Sequence, residues 1–184
     1  MNDACELINM LGRRIADLEA ESQIRRLRAS VLSLYESGCR QWLSDQSARI
    51  EEVLRHHTAD AIWEGDGAHY GRPYFRAIGH SAIRRHFQAT FGPERQRQHL
   101  IVSNHVGTEQ LHIETARDHA EAFWVQVEPW IFADGSCLLR SSRIQLDFVH
   151  DGGIWKIART KTEPVISLAL SPQAGAPVFQ HEQP

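Results

Sequence analysis

The apolar pattern changes period once along the chain. Ile24, Leu27, Val31, Leu34 and Tyr35 recur at i, i+3, i+7, i+10 and i+11, one stripe of an α-helix. The helix is expected to begin as early as Ile15 and to stop at Gly38. Ile50, Val53 and Leu54 mark a second, short helix, and Ala61 to Glu64 a first short strand ended by Gly65-Asp66-Gly67. A third helix opens at Gly79-His80-Ser81, with Ser81 as N-cap and Ile83, His86, Phe87 and Thr90 on one face. Phe91-Gly92-Pro93 ends it.

From Gln98 the period is two. Strands are expected over His99 to Val106, Glu109 to Thr115, His119 to Phe132, Cys137 to His150 and Ile154 to Thr162. Asp134-Gly135 and Asp151-Gly152-Gly153 fall between them as hairpin turns. Helices first and a strand meander afterwards mean an α+β domain, with helices on one face of a curled antiparallel sheet. The expected layout is an N-terminal extension over 1–14, one domain over 15–168 and a Pro-, Gly- and Gln-containing, loosely held tail over 169–184.

Composition narrows the function classes. The 184 residues suit one core. With a formal net charge of −3, no basic surplus exists to neutralise a phosphate backbone, so nucleic acid is not an expected partner. The apolar runs fall well short of the ~20 residues a membrane span needs, and the N-terminus has no basic region preceding an apolar one. No membrane partner and a cytoplasmic location are therefore expected. Cys5, Cys39 and Cys137 are isolated and odd in number, which fits a reducing compartment rather than a disulfide framework.

Five local patterns occur in a recognisable order. They are Ile24, Leu27 and Val31; Leu54 with Ala59-Asp60-Ala61-Ile62-Trp63; Gly79-His80-Ser81-Ala82-Ile83-Arg84; Gln98-His99-Leu100 with Asn104; and Asp151-Gly152-Gly153-Ile154-Trp155-Lys156-Ile157. Together they resemble the nuclear transport factor 2-like superfamily, in particular its SnoaL-like polyketide cyclase and scytalone dehydratase branch, over residues 15–165. The resemblance implies a cone-shaped α+β fold in which three N-terminal helices and the sheet enclose a cavity. It implies a catalytic histidine at His99, and a homodimer or trimer formed through the outer face of the sheet. The branch also carries an aspartate on the first helix; here that position falls on Tyr35, so the His–Asp dyad is not reproduced intact.

The residues themselves suggest the same chemistry with alternatives. Elimination from a carbon acid needs a base that titrates near ambient pH, which suits His99. On a regular strand His99, Ile101, Ser103 and His105 share one face, and an apolar wall there would keep the imidazole neutral. The alternative is a surface histidine in a chain with 11 of them. Tyr35, on the apolar stripe, is either a hydrogen-bond donor to substrate or a core tyrosine. In the strand Ala120 to Trp130, Glu121, Phe123, Val125 and Val127 make a packing face. Ala122, Trp124, Gln126 and Glu128 make a mixed face of the kind that lines pockets. Glu128 is a second acid–base candidate, although Pro129 beside it favours a solvated strand end. Arg143 could grip a carboxylate or enolate, with a surface ion pair as the alternative, and Arg159 is a similar candidate. Trp63, Tyr70 and Asn104 complete the expected substrate-binding set, Tyr70 within a Gly-rich segment that could flap over the cavity mouth.

His56-His57, His80 and His86, and His99 and His105 lack metal-ligand spacing, so no metal is expected. No phosphate loop, dinucleotide fingerprint or Gly-x-Ser-x-Gly is present, so no cofactor is expected. Two functions fit. One is a cofactor-independent lyase or isomerase, a dehydratase-like enzyme that removes a proton and expels water or formaldehyde from an aromatic or polycyclic molecule, with a polyketide-type cyclase as a variant. The other is a non-catalytic module that binds a small molecule or a partner in the same cavity.

Overall fold

The computed structural model describes residues 2–36, 39–65, 74–91, 99–114, 116, 118–132 and 135–170. Helix α1 (Asn2–Glu36) is followed by α2 (Cys39–Arg55), β1 (His57–Gly65), β2 (Phe75–Ile78) and α3 (Gly79–Phe91). Then come β3 (His99–Val102), β4 (His105–Ile113), β5 (His119–Phe132), β6 (Cys137–Asp151) and β7 (Ile154–Leu170). One sheet runs β2-β1-β7-β6-β5-β3, with β4 also paired to β5. This is the expected α+β arrangement of helices followed by a meander.

Three features differ from the periodicity. The first helix begins at Asn2 rather than near Ile15, so positions 4–15 are helical and exposed. The segment 75–78 is a strand, β2, antiparallel to β1. The sheet is also mixed rather than purely antiparallel, because β1 joins β7 in parallel, Trp63 opposite Thr160. A parallel neighbour so distant in sequence leaves no local signature, and nothing in the period of β1 distinguishes the two directions. The proposed tail from Pro172 onward lies outside the described residues; β7 itself continues to Leu170.

Two apolar clusters hold the layers together. In the first, Ala20, Ile24 and Val31 of α1 pack on Ala122 and Trp124 of β5, Ile144, Leu146 and Phe148 of β6, and Trp155 and Ile157 of β7. In the second, Ile50, Val53 and Leu54 of α2 and Ile83 and Phe87 of α3 enclose Ala61, Trp63 and Ala77 of β1 and β2. Burial alternates along β5, with Ala120, Ala122, Trp124, Gln126, Glu128, Trp130 and Phe132 covered and Glu121, Phe123, Val125 and Val127 exposed. The helices therefore cover one face of the sheet, and the other carries its exposed apolar residues.

Two glycines show where the backbone constrains the sequence. A Cβ on Gly65 would stand 3.1 Å from the Thr162 carbonyl oxygen and closer still to Phe75, so the β1–β7 joint leaves no room for a side chain. Gly12, inside α1, meets nothing within 4 Å. There the missing side chain only loosens the helix, by about 0.5–1 kcal/mol relative to alanine. Gly12→Ala is expected to slow amide hydrogen exchange across the first four turns of α1 while leaving the rest of the domain unchanged. Equal exchange would mean that this part of the helix is held by something other than its own propensity.

Candidate functional site

β5 carries a polar row on its covered face. The Trp124 indole N–H donates to Gln126 Oε1 at 3.2 Å. The Gln126 amide nitrogen donates to Asn104 Oδ1 at 2.6 Å and to Glu128 Oε1. The Trp130 indole N–H donates to Glu128 Oε2 at 3.2 Å. The arrangement follows from strand geometry, since alternate residues stand side by side on one face and a two-residue step lets each side chain reach the next. Both hydrogens and the oxygen of Gln126 are engaged, which fixes the amide orientation. Each carboxylate oxygen of Glu128 holds a separate donor, so its plane is fixed as well.

This row is buried. Gln126 is 6% exposed and Glu128 7%. Across the β5–β6 ladder Glu128 is paired with Arg140 and Gln126 with Ser142, both of them buried. The Arg140 guanidinium lies over the Trp130 ring at 4.7 Å, a cation–π contact. One carboxylate, one guanidinium, two amides and two indoles thus line the covered face between Trp124 and Trp130. A buried carboxylate costs several kcal/mol unless it is paired and hydrogen-bonded, and this one is set among donors.

Glu128 is therefore not the solvated strand end that Pro129 suggested. β5 is flanked on both sides. Its pairing with β4 runs up to Val127 opposite His105, and its pairing with β3 starts at Trp130 opposite Val102. Pro129 falls in the gap between these partners, where its missing N–H costs no ladder bond on that side, and its carbonyl accepts Ser103 N–H at 3.4 Å. A proline can thus sit in an interior strand where the neighbouring strand breaks.

The other predicted residues are distributed as follows. Trp124, Gln126 and Asn104 join Glu128 in the row. Trp124 is also covered from α1 by Arg28, whose guanidinium is 5.2 Å from the ring and whose Nη1 is 2.6 Å from Glu109. His99 pairs through its backbone with Phe132, two residues beyond Trp130. Its side chain and that of Tyr35 lie outside what the structure describes, as does Tyr70. A register shift separates His99 from Ile101, and the strand pairing breaks at Ser103-Asn104 before β4, so the regular alternation from His99 to His105 is broken. His105 is exposed and lies 3.3 Å from Ser103 Oγ. Trp63 stands apart in the second cluster, edge-on to Phe87 at 4.9 Å. Arg143 is exposed on the opposite face of the sheet from Glu128, opposite Val125 and Glu163.

Two charged groups escaped the sequence reading. Stepping back by two from Ser142 along the apolar face of β6 reaches Arg140, so the signal was present but was not followed far enough. Glu64 is the other. It is 2% exposed and is gripped by Arg159, Tyr74 and Arg76. Burial alone raises its pKa, but hydrogen bonds from Tyr74 and Arg159 and the charges of Arg159 and Arg76 carry it below the ordinary value. This cluster ties β1, β2 and β7 together, and Arg159 acts there as a structural partner that also reaches Asp147 at 3.7 Å.

Potential metal ligands among the described residues come together only at Glu114, Asp118 and His119, all exposed in the β4–β5 turn. Exposed acidic turns of this kind are solvated, and the cluster lies at the far end of β5 from Glu128. No helix among the described residues is long and apolar enough to cross a membrane.

No protein-family model matches the chain, and no curated protein matches it. Solved structures do. An NTF2-like protein with a cystatin-like fold from Novosphingobium aromaticivorans is 19% identical, with TM-score 0.60 over 84% of this chain and 88% of that one. A hexachlorocyclohexane dehydrochlorinase, LinA-type3 from Novosphingobium barchaimii, is 12% identical, with TM-score 0.65 over 90% of this chain and 99% of that one. A protein named as a candidate scytalone dehydratase, from N. aromaticivorans, is 13% identical, with TM-score 0.64 over 94% and 99%. The chain has the nuclear transport factor 2-like fold. At these identities the likeness is one of fold, and the NTF2-like scaffold by itself hosts unrelated functions.

In this NTF2-like domain the α2–β1 corner holds a titratable group outside the polar row. His57 is 2% exposed; its Nδ1–H donates to the Val53 carbonyl at 2.8 Å, and Nε2 has no partner among the described residues. Burial is the main force that lowers its pKa to about 4, with the nearby His56 and His80 adding to it and the Val53 bond opposing it. The unfolded chain binds a proton near pH 6.5 that the folded one refuses until about 4, so stability is full above 6.5 and falls as pH drops through that window. Between pH 7 and 5 this group alone is expected to remove about 2 kcal/mol, at 1.36 kcal/mol per unit. Urea unfolding at the two values checks it, with His57→Gln expected to flatten the slope; an equal slope in the variant would assign it to other groups.

Proposed function

We propose that the chain is a cofactor-independent lyase or isomerase that acts on an aromatic or polycyclic small molecule through the covered face of β5. The carrying observation is the buried Glu128, held on both oxygens by Gln126 and Trp130 and paired across the ladder with Arg140. Preoriented charge in a site shielded from water is what stabilises a transition state. Trp124, Trp130 and Phe132 supply flat apolar walls for an aromatic substrate.

In the dehydration His99 takes the proton from the activated carbon, and the C–H electrons form the new double bond. The neighbouring hydroxyl leaves with the C–O pair and takes a proton from the Tyr35 phenol to depart as water, the phenolate regaining it from the imidazolium. Where formaldehyde leaves, His99 instead takes the β-hydroxyl proton, the O–H pair becomes the carbonyl, and the broken C–C pair stays on the activated carbon as an enolate. Tyr35 donates a hydrogen bond to the leaving oxygen. Glu128 lies on the strand that pairs with the His99 strand, and its negative charge favours the imidazolium the step creates. Arg140 faces the opposite charge, the developing oxyanion or enolate. The role first considered for Arg143 thus passes to Arg140, because Arg143 lies on the other face. The neighbours named as a dehydrochlorinase and a candidate dehydratase are compatible with an elimination.

A second reading rests on the saturation of the row. Trp124, Gln126, Asn104 and Glu128 satisfy one another, as the walls of a static binding site would, so a non-catalytic small-molecule module uses the same face. In either case we propose that copies of the chain pair through the uncovered face of the sheet. Phe123, Val125 and Val127 of β5 lie exposed there beside Ile166 and Leu168 of β7.

The test is a screen of aromatic and polycyclic hydroxy and β-hydroxy compounds for elimination, followed by absorbance, with wild type, His99→Ala and Glu128→Gln. Both variants are expected to bind a turned-over compound and to lose about 10²–10⁴-fold in turnover, the usual contribution of an acid–base group. Undiminished turnover in both would remove these residues from the mechanism. Binding without turnover by wild type would favour the binding module.

A further inference from the structure

The first half of α1 carries an apolar stripe that the domain does not cover. Ile8, Leu11, Ile15 and Leu18 are 66%, 51%, 57% and 48% exposed. They follow one another at steps of three, four and three, the spacing of the a and d positions of a heptad, and Ala4 extends the series by one more step. The two a positions, Ile8 and Ile15, are isoleucine, and d positions Leu11 and Leu18 are leucine after Ala4, the combination that favours two parallel strands. The apolar series ends at Leu18: the next a position is Ser22, and the next d position is Arg25, which is engaged with Glu21 and Glu109.

The stripe and the packing face of α1 lie on opposite sides of the helix. Ala20, Ile24, Leu27 and Val31 turn toward the sheet. At 3.6 residues per turn, Ile8, Leu11, Ile15 and Leu18 point about half a turn away from them. The seam is thus not an extension of the core, and the domain does not obstruct a helix laid along it. The helix is already built and anchored by its second half, so the nucleation cost that makes short isolated coils marginal is met within each chain.

We propose that this stripe is a parallel two-stranded coiled-coil seam, and that its occupant is the same segment of a second copy of the chain. The flanking charges select that occupant. In a parallel pair each g position faces the e position five residues later on the other helix. Arg14 then meets the second copy's Glu19, and Glu21 meets its Arg26, and symmetry makes each pairing occur twice. Both are of opposite sign. The proposal does not rest on the lyase reading, since none of these residues touches the polar row of β5.

The full chain and Leu11→Glu/Ile15→Glu would be compared by sedimentation velocity. Both chains carry Val125→Glu on the uncovered sheet face, which removes pairing there, and the seam variant's particle mass is then expected to be half that of the chain with the seam intact. Near-UV circular dichroism of the tryptophans is expected to stay the same, because the seam lies away from the core. Arg14→Glu sets like charges together and is expected to weaken association at least several-fold, and Arg14→Glu with Glu19→Arg restores it. Ala4→Cys in a Cys5→Ser background is expected to form an intermolecular disulfide, since identical d positions face each other only in a parallel, in-register pair. A monomeric wild type, an unchanged mass in the double variant, no rescue by the charge swap, or no disulfide would each overturn the proposal. Turnover unaffected by these variants leaves the function proposal where it stood.

Discussion

The alternation of β5 is the constraint on which the rest of the molecule depends. Fourteen residues of one strand must keep a single face toward the helices, and a slip of one residue would exchange that face for the other. The apolar members of the covered face, Ala120, Ala122 and Trp124, set the register by packing under α1. The polar members, Gln126 and Glu128, are tolerable only in that register, because only there do Trp124, Trp130 and Asn104 present complementary groups. Apolar burial thus fixes the strand, and the fixed strand makes a buried carboxylate possible. Neither half of the strand explains the other's sequence alone.

The same economy separates the two ends of the covered face. Toward Ala120 the neighbours are Phe148, Ile157 and Trp155, and the space is filled. Toward Trp130 the neighbours are Arg140 and Ser142, and the lining becomes polar. Under the proposed function, this change of lining would orient a ligand that has one apolar and one oxygenated side. The NTF2-like fold supplies the curled sheet, and Glu128 and Arg140 are the charged residues buried toward its polar end.

Much of this was legible in the sequence, for physical reasons that differ by element. β5 was readable from end to end because a half-buried strand alternates, and its residues were divided between the right two sets. But the set expected to pack, Phe123, Val125 and Val127, is the exposed one, and the mixed set through Trp124 and Glu128 is the covered one. α3 was readable because Gly79 and the stripe through Ile83 and Phe87 coincide. β2 was not, since four residues with one buried position carry no period to detect. The parallel seam of β1 and β7 was invisible because strand direction leaves no mark on alternation. Among the site residues, Gln126 and Trp124 emerged from the face they share. Glu128 was drawn toward solvent by Pro129, because a break in the neighbouring strand looks the same in sequence as an edge. Arg143 was preferred to Arg140 although the face through Ser142 and Ile144 already led to the latter. The exposed stripe of α1 is hard to read because Ile8, Leu11, Ile15 and Leu18 lie on the opposite side of the helix from the stripe through Ile24 and Val31 that packs on the sheet.

The parallel joint between β1 and β7 also sets an order of events. Strands β1 and β2, on which the second apolar cluster packs, join the sheet only through β7, the last strand described. The β1–β7 contacts close a long loop of intervening chain, and such contacts are slow to form. On the ribosome, therefore, β1 and β2 stay apart from the sheet until the final hairpin has emerged, although α1 can already pack on β5 and β6. The last strand acts as the clasp of the chain, and a protein cut short before it would lose the place of β1 and β2 as well as its end.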